Sequence, residues 1–157
     1  MTPSDGVTIR GSTLASPEAR ELIAALDAEL SALYPEPGAT HFRLDTSEVA
    51  EGQGAFLVAT LDDKPIGCGA IRRIDERTGE IKRMYVRPAA RGRGVGRDLL
   101  RALETEARAL GLTRVALETG ARQLEALALY QHAGFAPIPP FGEYVGSPTS
   151  VCMAKDL

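Results

Sequence analysis

Apolar and polar positions repeat along this chain with two periods, which predict helices and strands. An apolar stripe at three- and four-residue spacing predicts a first helix from Ser16 or Pro17 to about Leu33. The stripe consists of Leu22, Leu26, Leu30 and Leu33. A second stripe predicts a helix from about Val95 to Leu110, with Gly111 as its terminator. A third helix is predicted over Gln123–His132, before Gly134.

Short apolar runs bounded by turn residues predict the strands. They are Val7–Arg10, Ala55–Leu61, Ile66–Ile74, Glu80–Val86, Arg114–Glu118, Phe135–Ile138 and Ser150–Lys155. The resulting order, β-α-β-β-β-α-β-α-β-β, predicts an α/β (α+β) fold with a mixed sheet of six to seven strands flanked by helices. The sheet is expected to be antiparallel early and parallel where a helix crosses over. Since no linker divides the chain, we expect a single domain over residues 1–157.

The composition is that of an ordinary globular protein, with 157 residues, 44% of them hydrophobic and 25% charged. A formal charge of −3 disfavours nucleic-acid binding. We expect neither a membrane span nor an export signal, and therefore a cytoplasmic protein. Two cysteines, Cys68 and Cys152, and two histidines, His41 and His132, make no metal-ligand pattern. The cysteines lie in apolar stretches and are expected in the core.

Charge is distributed unevenly along the chain. Residues 1–51 carry nine acidic and three basic side chains, whereas residues 82–101 carry seven basic side chains and one acidic one. A basic block in an acidic protein favours an anionic partner at that block. On charge alone, a solvated arginine-rich helix face is the favoured explanation of the block.

Three alternating glycines within the basic block favour the anionic partner. The predicted strand ends at Val86, Gly92, Gly94 and Gly96 follow, and the helix then begins. The first amides of a helix have no internal partner, and glycine lets a ligand approach the backbone closely. The segment therefore predicts a phosphate-binding loop. It lacks the Walker A pattern, and the third glycine of a dinucleotide pattern would fall at Arg97, so another nucleotide-binding domain remains only a weaker alternative.

The pattern Arg-x-x-Gly-x-Gly over Arg91–Gly96, following a strand that ends in Met84–Val86, resembles the GNAT superfamily of acetyl-CoA-dependent N-acetyltransferases. Leu117–Gly120 and Ala128–Phe135 also resemble segments of that superfamily. The resemblance is clear over about Ile66–Ile138, and the C-terminal tail looks like that of small bacterial single-domain members. It implies a GNAT-like fold and an acyltransferase that uses acetyl-CoA as co-substrate, without a metal.

The resemblance also implies how the cofactor is bound. The amides of Arg91–Arg97 are expected to bind the pyrophosphate, and the backbone of Met84–Val86 to bind the pantetheine arm and thioester carbonyl. A bulge in this strand would part it from Arg114–Glu118. Gln123 stands where many relatives have a cofactor-contacting asparagine. The implied cofactor-binding residues are Met84, Tyr85, Val86, Arg91, Gly92, Arg93, Gly94, Val95, Gly96, Arg97, Gln123 and Tyr130.

The implied reaction is direct acetyl transfer, within a ternary complex, to an amine of a small molecule or peptide. Tyr130 matches the tyrosine that protonates the departing thiolate. Glu80 and Glu118 are competing candidates for the base, with a water chain as a further option. Glu118 and Tyr144 are expected to border the acceptor site.

Two further questions stay open at this point. A GNAT-like module that binds CoA without catalysis is the main alternative function. Relatives are commonly dimers, so the resemblance also allows a homodimer. The acidic first third of the chain favours a cationic acceptor, although the sequence does not identify the amine.

Overall fold

The computed structural model describes residues 6–37 and 43–157, and it shows the predicted order of elements. The strands are β1 (Val7–Ser12), β2 (Gly54–Leu61), β3 (Lys64–Arg73), β4 (Thr78–Val86), β5 (Arg114–Gly120), β6 (Ala136–Ile138) and β7 (Ser150–Asp156). The helices are α1 (Pro17–Leu33), α2 (Val95–Ala109) and α3 (Leu124–His132). His41 lies outside the described residues.

The seven strands form one mixed sheet in the order β1-β2-β3-β4-β5-β7-β6. Strands β1 to β4 pair antiparallel in sequence order, and β4 and β5 pair parallel because α2 crosses over between them. Strand β7 then inserts antiparallel between β5 and β6. The predicted mixed sheet is thereby confirmed, at the upper end of the expected strand number.

Helices α1 and α2 cover opposite faces of the sheet. The N-terminus of α1 forms as predicted, because the Ser16 hydroxyl oxygen accepts a hydrogen bond of 3.2 Å from the amide of Ala19. Leu22 and Leu26 of α1 are buried with Phe56 and Tyr85 of the sheet. The prediction of an apolar stripe on α1 is wrong for its last member, because Leu33 is 39% exposed.

Two turns are tighter than the sequence predicts. Asp62 and Asp63 both adopt positive φ angles, of 51° and 62°, so a two-residue turn suffices and β3 starts at Lys64. In the next turn, the side-chain oxygen Oδ1 of Asp75 accepts hydrogen bonds from the amides of Arg77 and Thr78, at 2.8 and 2.7 Å. This local cap lets β4 begin at Thr78 rather than at Glu80.

Both cysteines are buried free thiols, as expected of small core residues. Burial raises the pKa of the Cys68 thiol to about 12, so it stays protonated. Across the residues described, no helix combines the length and the apolar character needed to cross a membrane. Nor do residues 6–37 and 43–157 contain three or more His, Cys, Asp or Glu side chains grouped to hold a metal ion.

Candidate active site

Strands β4 and β5 part half-way along their length. Their parallel pairing covers Thr78–Ile81 against Arg114–Leu117 and ends there. Beyond this point β4 continues to Val86 and β5 to Gly120, without pairing to each other. Backbone groups that face the gap are therefore left available to a ligand.

A bulge in β4 accompanies this separation. Cys68 of β3 pairs with Tyr85, whereas Ala70 pairs with Lys82. Two residues of β4, Arg83 and Met84, therefore lie opposite one residue of β3. Arg83 adopts a positive φ of 57°, which a β-branched or bulky residue rarely does outside such an irregularity. The bulge lies where the family resemblance predicts it.

A cleft of about 780 Å³, including its solvent-filled mouth, occupies the gap. Its walls come from α1, the bulged part of β4, the end of β5 and α3. It brings together five of the predicted site residues, namely Met84, Glu118, Gln123, Tyr130 and Tyr144. Candidate cofactor and acceptor residues from distant parts of the chain thus face one space.

The glycine loop follows β4 and leads into α2. Gly94 occupies the position before the helix with a φ of 83°, a left-handed conformation that suits glycine. The first intrahelical bond described at this end runs from the amide of Asp98 to the carbonyl of Gly94, at 3.0 Å. The amides of Val95, Gly96 and Arg97 precede that bond, so the helix itself provides no acceptor for them. Together with the helix dipole, they form a receptor for an anion.

The side chain of Arg91 is used within the protein. Its Nη2 atom lies 2.8 Å from both carboxylate oxygens of Glu29 on α1. Its Nε atom donates to the carbonyl of Val86 at 2.9 Å. These contacts anchor the loop to β4 and α1, so the Arg91 guanidinium already has partners within the protein.

Glu118 is the first residue of β5 beyond the paired region, and it lines the cleft. The hydroxyl of Ser150 donates a hydrogen bond of 2.5 Å to its Oε2 atom. Burial raises the pKa of this carboxyl, while the bond from Ser150 lowers it. A carboxyl in this environment can accept a proton closer to neutral pH than an exposed glutamate can.

Glu80 lies in a different environment, with 0% of its surface exposed. Its Oε1 atom accepts a hydrogen bond of 2.9 Å from Nε of Arg72, and its Oε2 atom accepts one of 2.5 Å from the Tyr144 hydroxyl. Arg72 also pairs with Glu48, at 2.5 Å. Both oxygens of Glu80 are therefore engaged, and its contacts anchor the structure around the cleft.

Tyr130 projects from α3 into the cleft and is 5% exposed. Its ring packs edge-on against Phe135, with 5.9 Å between centroids. Burial raises the pKa of its hydroxyl, so the group carries its proton at neutral pH. At the start of α3, Oε1 of Gln123 accepts a hydrogen bond of 2.9 Å from the amide of Gly120, so that oxygen already has a partner.

The sequence profile of the acetyltransferase (GNAT) family matches residues 19–135. An IAA acetyltransferase from Azospirillum brasilense is 45% identical over 139 residues, which cover 87% of this chain and 89% of that protein. The chain belongs to the GNAT acetyltransferase family. It is therefore an acyltransferase of the N-acetyltransferase type.

Solved structures agree with this assignment of the GNAT fold. A putative acyl-CoA N-acyltransferase from Klebsiella pneumoniae superposes with a TM-score of 0.82 at 35% identity, covering 96% of this chain and 97% of that one. A GNAT acetyltransferase from Elizabethkingia anophelis, solved with acetyl-CoA bound, has a TM-score of 0.71 at 21% identity. It covers 98% of this chain and 99% of its own, and this likeness concerns the fold.

Two parts of this GNAT site are not predicted from the sequence. The first is a link between α1 and the loop after β5, where the Tyr34 hydroxyl oxygen accepts a hydrogen bond of 2.8 Å from the amide of Arg122. The guanidinium of Arg122 in turn pairs with Glu36 at 2.6 Å. Nothing in the local sequence signals this contact, because its partners are more than 80 residues apart.

The second unpredicted feature is Lys82, which lines the cleft although it is only 5% exposed. A lysine in a strand is usually expected to face water. The available signal is its spacing from Glu80: charged residues two apart, around the apolar Ile81, lie on the same face of a strand. Lys82 shares the cleft with Leu26 and Leu30 of α1. Glu80 is instead in contact with Arg72 and Tyr144.

Proposed function

We propose that the protein transfers the acetyl group of acetyl-CoA directly to an amine of a small molecule or peptide while both substrates are bound. The observation that carries this proposal is the parting of β4 and β5 beside the glycine-capped start of α2. The acetyl-CoA complex of the Elizabethkingia protein, which shares the fold, supports the choice of co-substrate. A bacterial origin and a cytoplasmic location fit the bacterial relatives and the cosubstrate.

The glycine loop binds the diphosphate of the cofactor in this proposal. The amides of Gly92–Arg97 donate hydrogen bonds to phosphate oxygens, and the positive end of α2 favours their charge. The pantetheine arm lies along Met84–Val86, where β4 has left β5. The bulge at Arg83 and Met84 supplies the irregular backbone that an inserted arm needs.

Glu118 is the base in this mechanism, directly or through water. An ammonium has no lone pair, so the acceptor must lose a proton before it attacks. The raised pKa of Glu118 and its position in the cleft suit this role. The nitrogen lone pair then attacks the thioester carbonyl carbon. A backbone amide of Met84 or Tyr85 stabilises the resulting oxyanion, an interaction typically worth about 3 kcal/mol.

Tyr130 completes the transfer. The carbon–sulfur bond breaks when the tetrahedral intermediate collapses, and the sulfur leaves with the electron pair. The protonated Tyr130 hydroxyl donates its proton to the thiolate, and the acetylated nitrogen loses its extra proton, which returns to Tyr130 directly or through water. The products are free CoA and the neutral amide. Burial raises the pKa of Tyr130, which keeps the proton available but makes complete donation uphill, so hydrogen bonding to the sulfur precedes transfer.

The test is thiol release from acetyl-CoA by the purified protein across a panel of primary amines. We expect acceptor-dependent release of CoA and a matching acetylated product by mass spectrometry. Thermal stabilisation by CoA with no product from any amine would instead identify a binding module without catalysis. No stabilisation and no release would contradict the cofactor site itself.

A further inference from the structure

The cleft contains a buried cation that has no hydrogen-bond acceptor among the described residues. The side chain of Lys82 is 3% exposed, and its Nζ atom makes no hydrogen bond to any of the described residues. An ammonium has three donors and normally satisfies them when it is removed from water. An unsatisfied ammonium that lines a cleft is available to a hydrogen-bond acceptor on a bound ligand.

The nearest anion does not satisfy Lys82. The Oε2 atom of Glu143 lies 3.6 Å from Nζ, beyond hydrogen-bond distance, and the Glu143 side chain is 37% exposed. Its Oε1 atom accepts a hydrogen bond from the amide of Arg43 at 3.2 Å. The Tyr144 ring lies 5.7 Å from Nζ and offers only its π face. Burial lowers the pKa of Lys82, as expected for an incompletely compensated cation.

Lys82 and Glu118 stand on opposite sides of the gap. The last parallel pair of β4 and β5 is Ile81 with Leu117. Lys82 and Glu118 are the next residue on each strand, and both line the cleft. Side chains at matching positions of neighbouring strands point to the same face of the sheet. A cation and a proton acceptor therefore face one cleft from adjacent positions.

We propose that Lys82 binds a carboxylate of the acceptor, so that the substrate is an amino acid or a similar small amine that carries its own carboxylate. This inference rests on the proposed function, in which Glu118 receives the proton of the amine. The acceptor's nitrogen lies toward Glu118, and its carboxylate accepts hydrogen bonds from Lys82. A zwitterionic acceptor replaces the cationic acceptor that the acidic first third of the chain favours.

The charges around the cleft favour a carboxylate over a phosphate. Three carboxyl groups, those of Glu80, Glu118 and Glu143, act electrostatically on Lys82 or its neighbours. One ammonium can offset one negative charge, whereas a phosphate dianion would bring a second charge toward these acidic groups.

The test compares L-amino acids with their carboxamides, which keep the amine and lose the negative charge. With the wild-type protein and acetyl-CoA, we expect the best acid to exceed its amide by at least about tenfold in kcat/KM, as for a charge-assisted hydrogen bond. The difference should lie mainly in KM. Equal or better use of the amides would overturn the inference, and faster use of aminoalkylphosphonates would overturn the choice of carboxylate.

The variant Lys82→Met removes the charge at similar volume. It should reduce the acid-to-amide ratio to near one by lowering kcat/KM for the acids far more than for the amides, whereas Lys64→Met, at the exposed start of β3, should keep the wild-type ratio. An equal loss of kcat/KM for acids and amides in Lys82→Met would contradict a carboxylate site at Lys82. The wild-type comparison stands without any variant, should Lys82→Met fold poorly.

A binding measurement separates this inference from the proposed catalysis. With saturating CoA, thermal denaturation of the wild-type protein should shift upward with the preferred acid and not with its amide. Lys82→Met should abolish that shift. Absence of an acid-specific shift would overturn the carboxylate site even if other amines are acetylated, whereas a shift without turnover would overturn the catalytic proposal alone.

Discussion

The hydroxyl of Tyr144 donates a 2.5 Å hydrogen bond to Oε2 of Glu80, joining residues 64 positions apart in the chain. Both groups are buried, and Arg72 occupies the other oxygen of Glu80. The bond attaches the segment before β7 to the centre of β4. The two candidate bases therefore differ in their surroundings. Glu118 faces the cleft, whereas both carboxylate oxygens of Glu80 have hydrogen-bond partners within the protein.

The first prediction distinguishes the two carboxyl groups. Glu118→Gln should lower kcat by about 100-fold and remove the acidic limb of the pH–rate profile, because the proton acceptor is lost. Glu80→Gln should retain that limb and lower the melting temperature, because Arg72 loses its charged partner. The pH dependence of kcat/KM for both variants is the measurement. Loss of the limb in Glu80→Gln alone would make Glu80 the base.

The second prediction concerns the hydrogen bond from Ser150 to Glu118. This bond favours the ionised carboxylate and lowers its pKa, in opposition to burial. Ser150→Ala should therefore raise the pKa further. Since the base acts when deprotonated, the acidic limb should move to higher pH, with lost activity recovered at alkaline pH. An acidic limb that stays in place or moves to lower pH in Ser150→Ala would show that this hydrogen bond does not lower the pKa of the catalytic base.

The third prediction removes one oxygen from the cleft. Tyr130→Phe should reduce kcat by about 100-fold, because the thiolate loses its proton donor. The ring still packs against Phe135, so the free energy of unfolding should stay close to the wild-type value, and the affinity for CoA should fall far less than kcat. Steady-state kinetics and CoA-dependent thermal shifts test both parts. A wild-type rate in this variant would exclude Tyr130 from the mechanism.

The fourth prediction uses two glycines at opposite ends of α2. Gly94 and Gly111 have φ angles of 83° and 80°, so alanine at either position should cost about 1 kcal/mol of stability. Only Gly94→Ala should also weaken CoA binding, with the dissociation constant rising about tenfold for each 1.4 kcal/mol of binding free energy removed. Calorimetric titration with CoA is the test. Equal affinities of the two variants for CoA would show that the glycine loop does not bind the cofactor.

The fifth prediction contrasts two arginines. Arg72 bridges Glu48 and the fully buried Glu80, so Arg72→Gln should destabilise the fold by about 3 kcal/mol because a buried carboxylate loses its cation. Arg10 is exposed and lies 3.5 Å from Glu18, and Arg10→Gln should cost less than about 1 kcal/mol. Denaturant unfolding measures both. Similar costs would show that Glu80 does not depend on Arg72.

Local signals in the sequence determined the order of the elements and the glycine loop. The apolar period of α1, the cap at Ser16 and the glycines before α2 act through neighbours within a few residues. Such patterns can be predicted without knowledge of tertiary contacts, because backbone dihedrals and hydrogen bonds at a helix end depend on adjacent residues. The family resemblance then added the expected bulge and the cofactor.

Tertiary structure decided which candidate side chains face the cleft. Glu80 and Glu118 both follow from the sequence as possible bases, yet their surroundings come from Arg72, Tyr144 and Ser150 on other strands and loops. Lys82 becomes a buried cation only in the folded chain, where α1 and the segment of Glu143 and Tyr144 lie around it. Burial and pKa depend on contacts between distant segments, and those contacts exist only once the chain has folded.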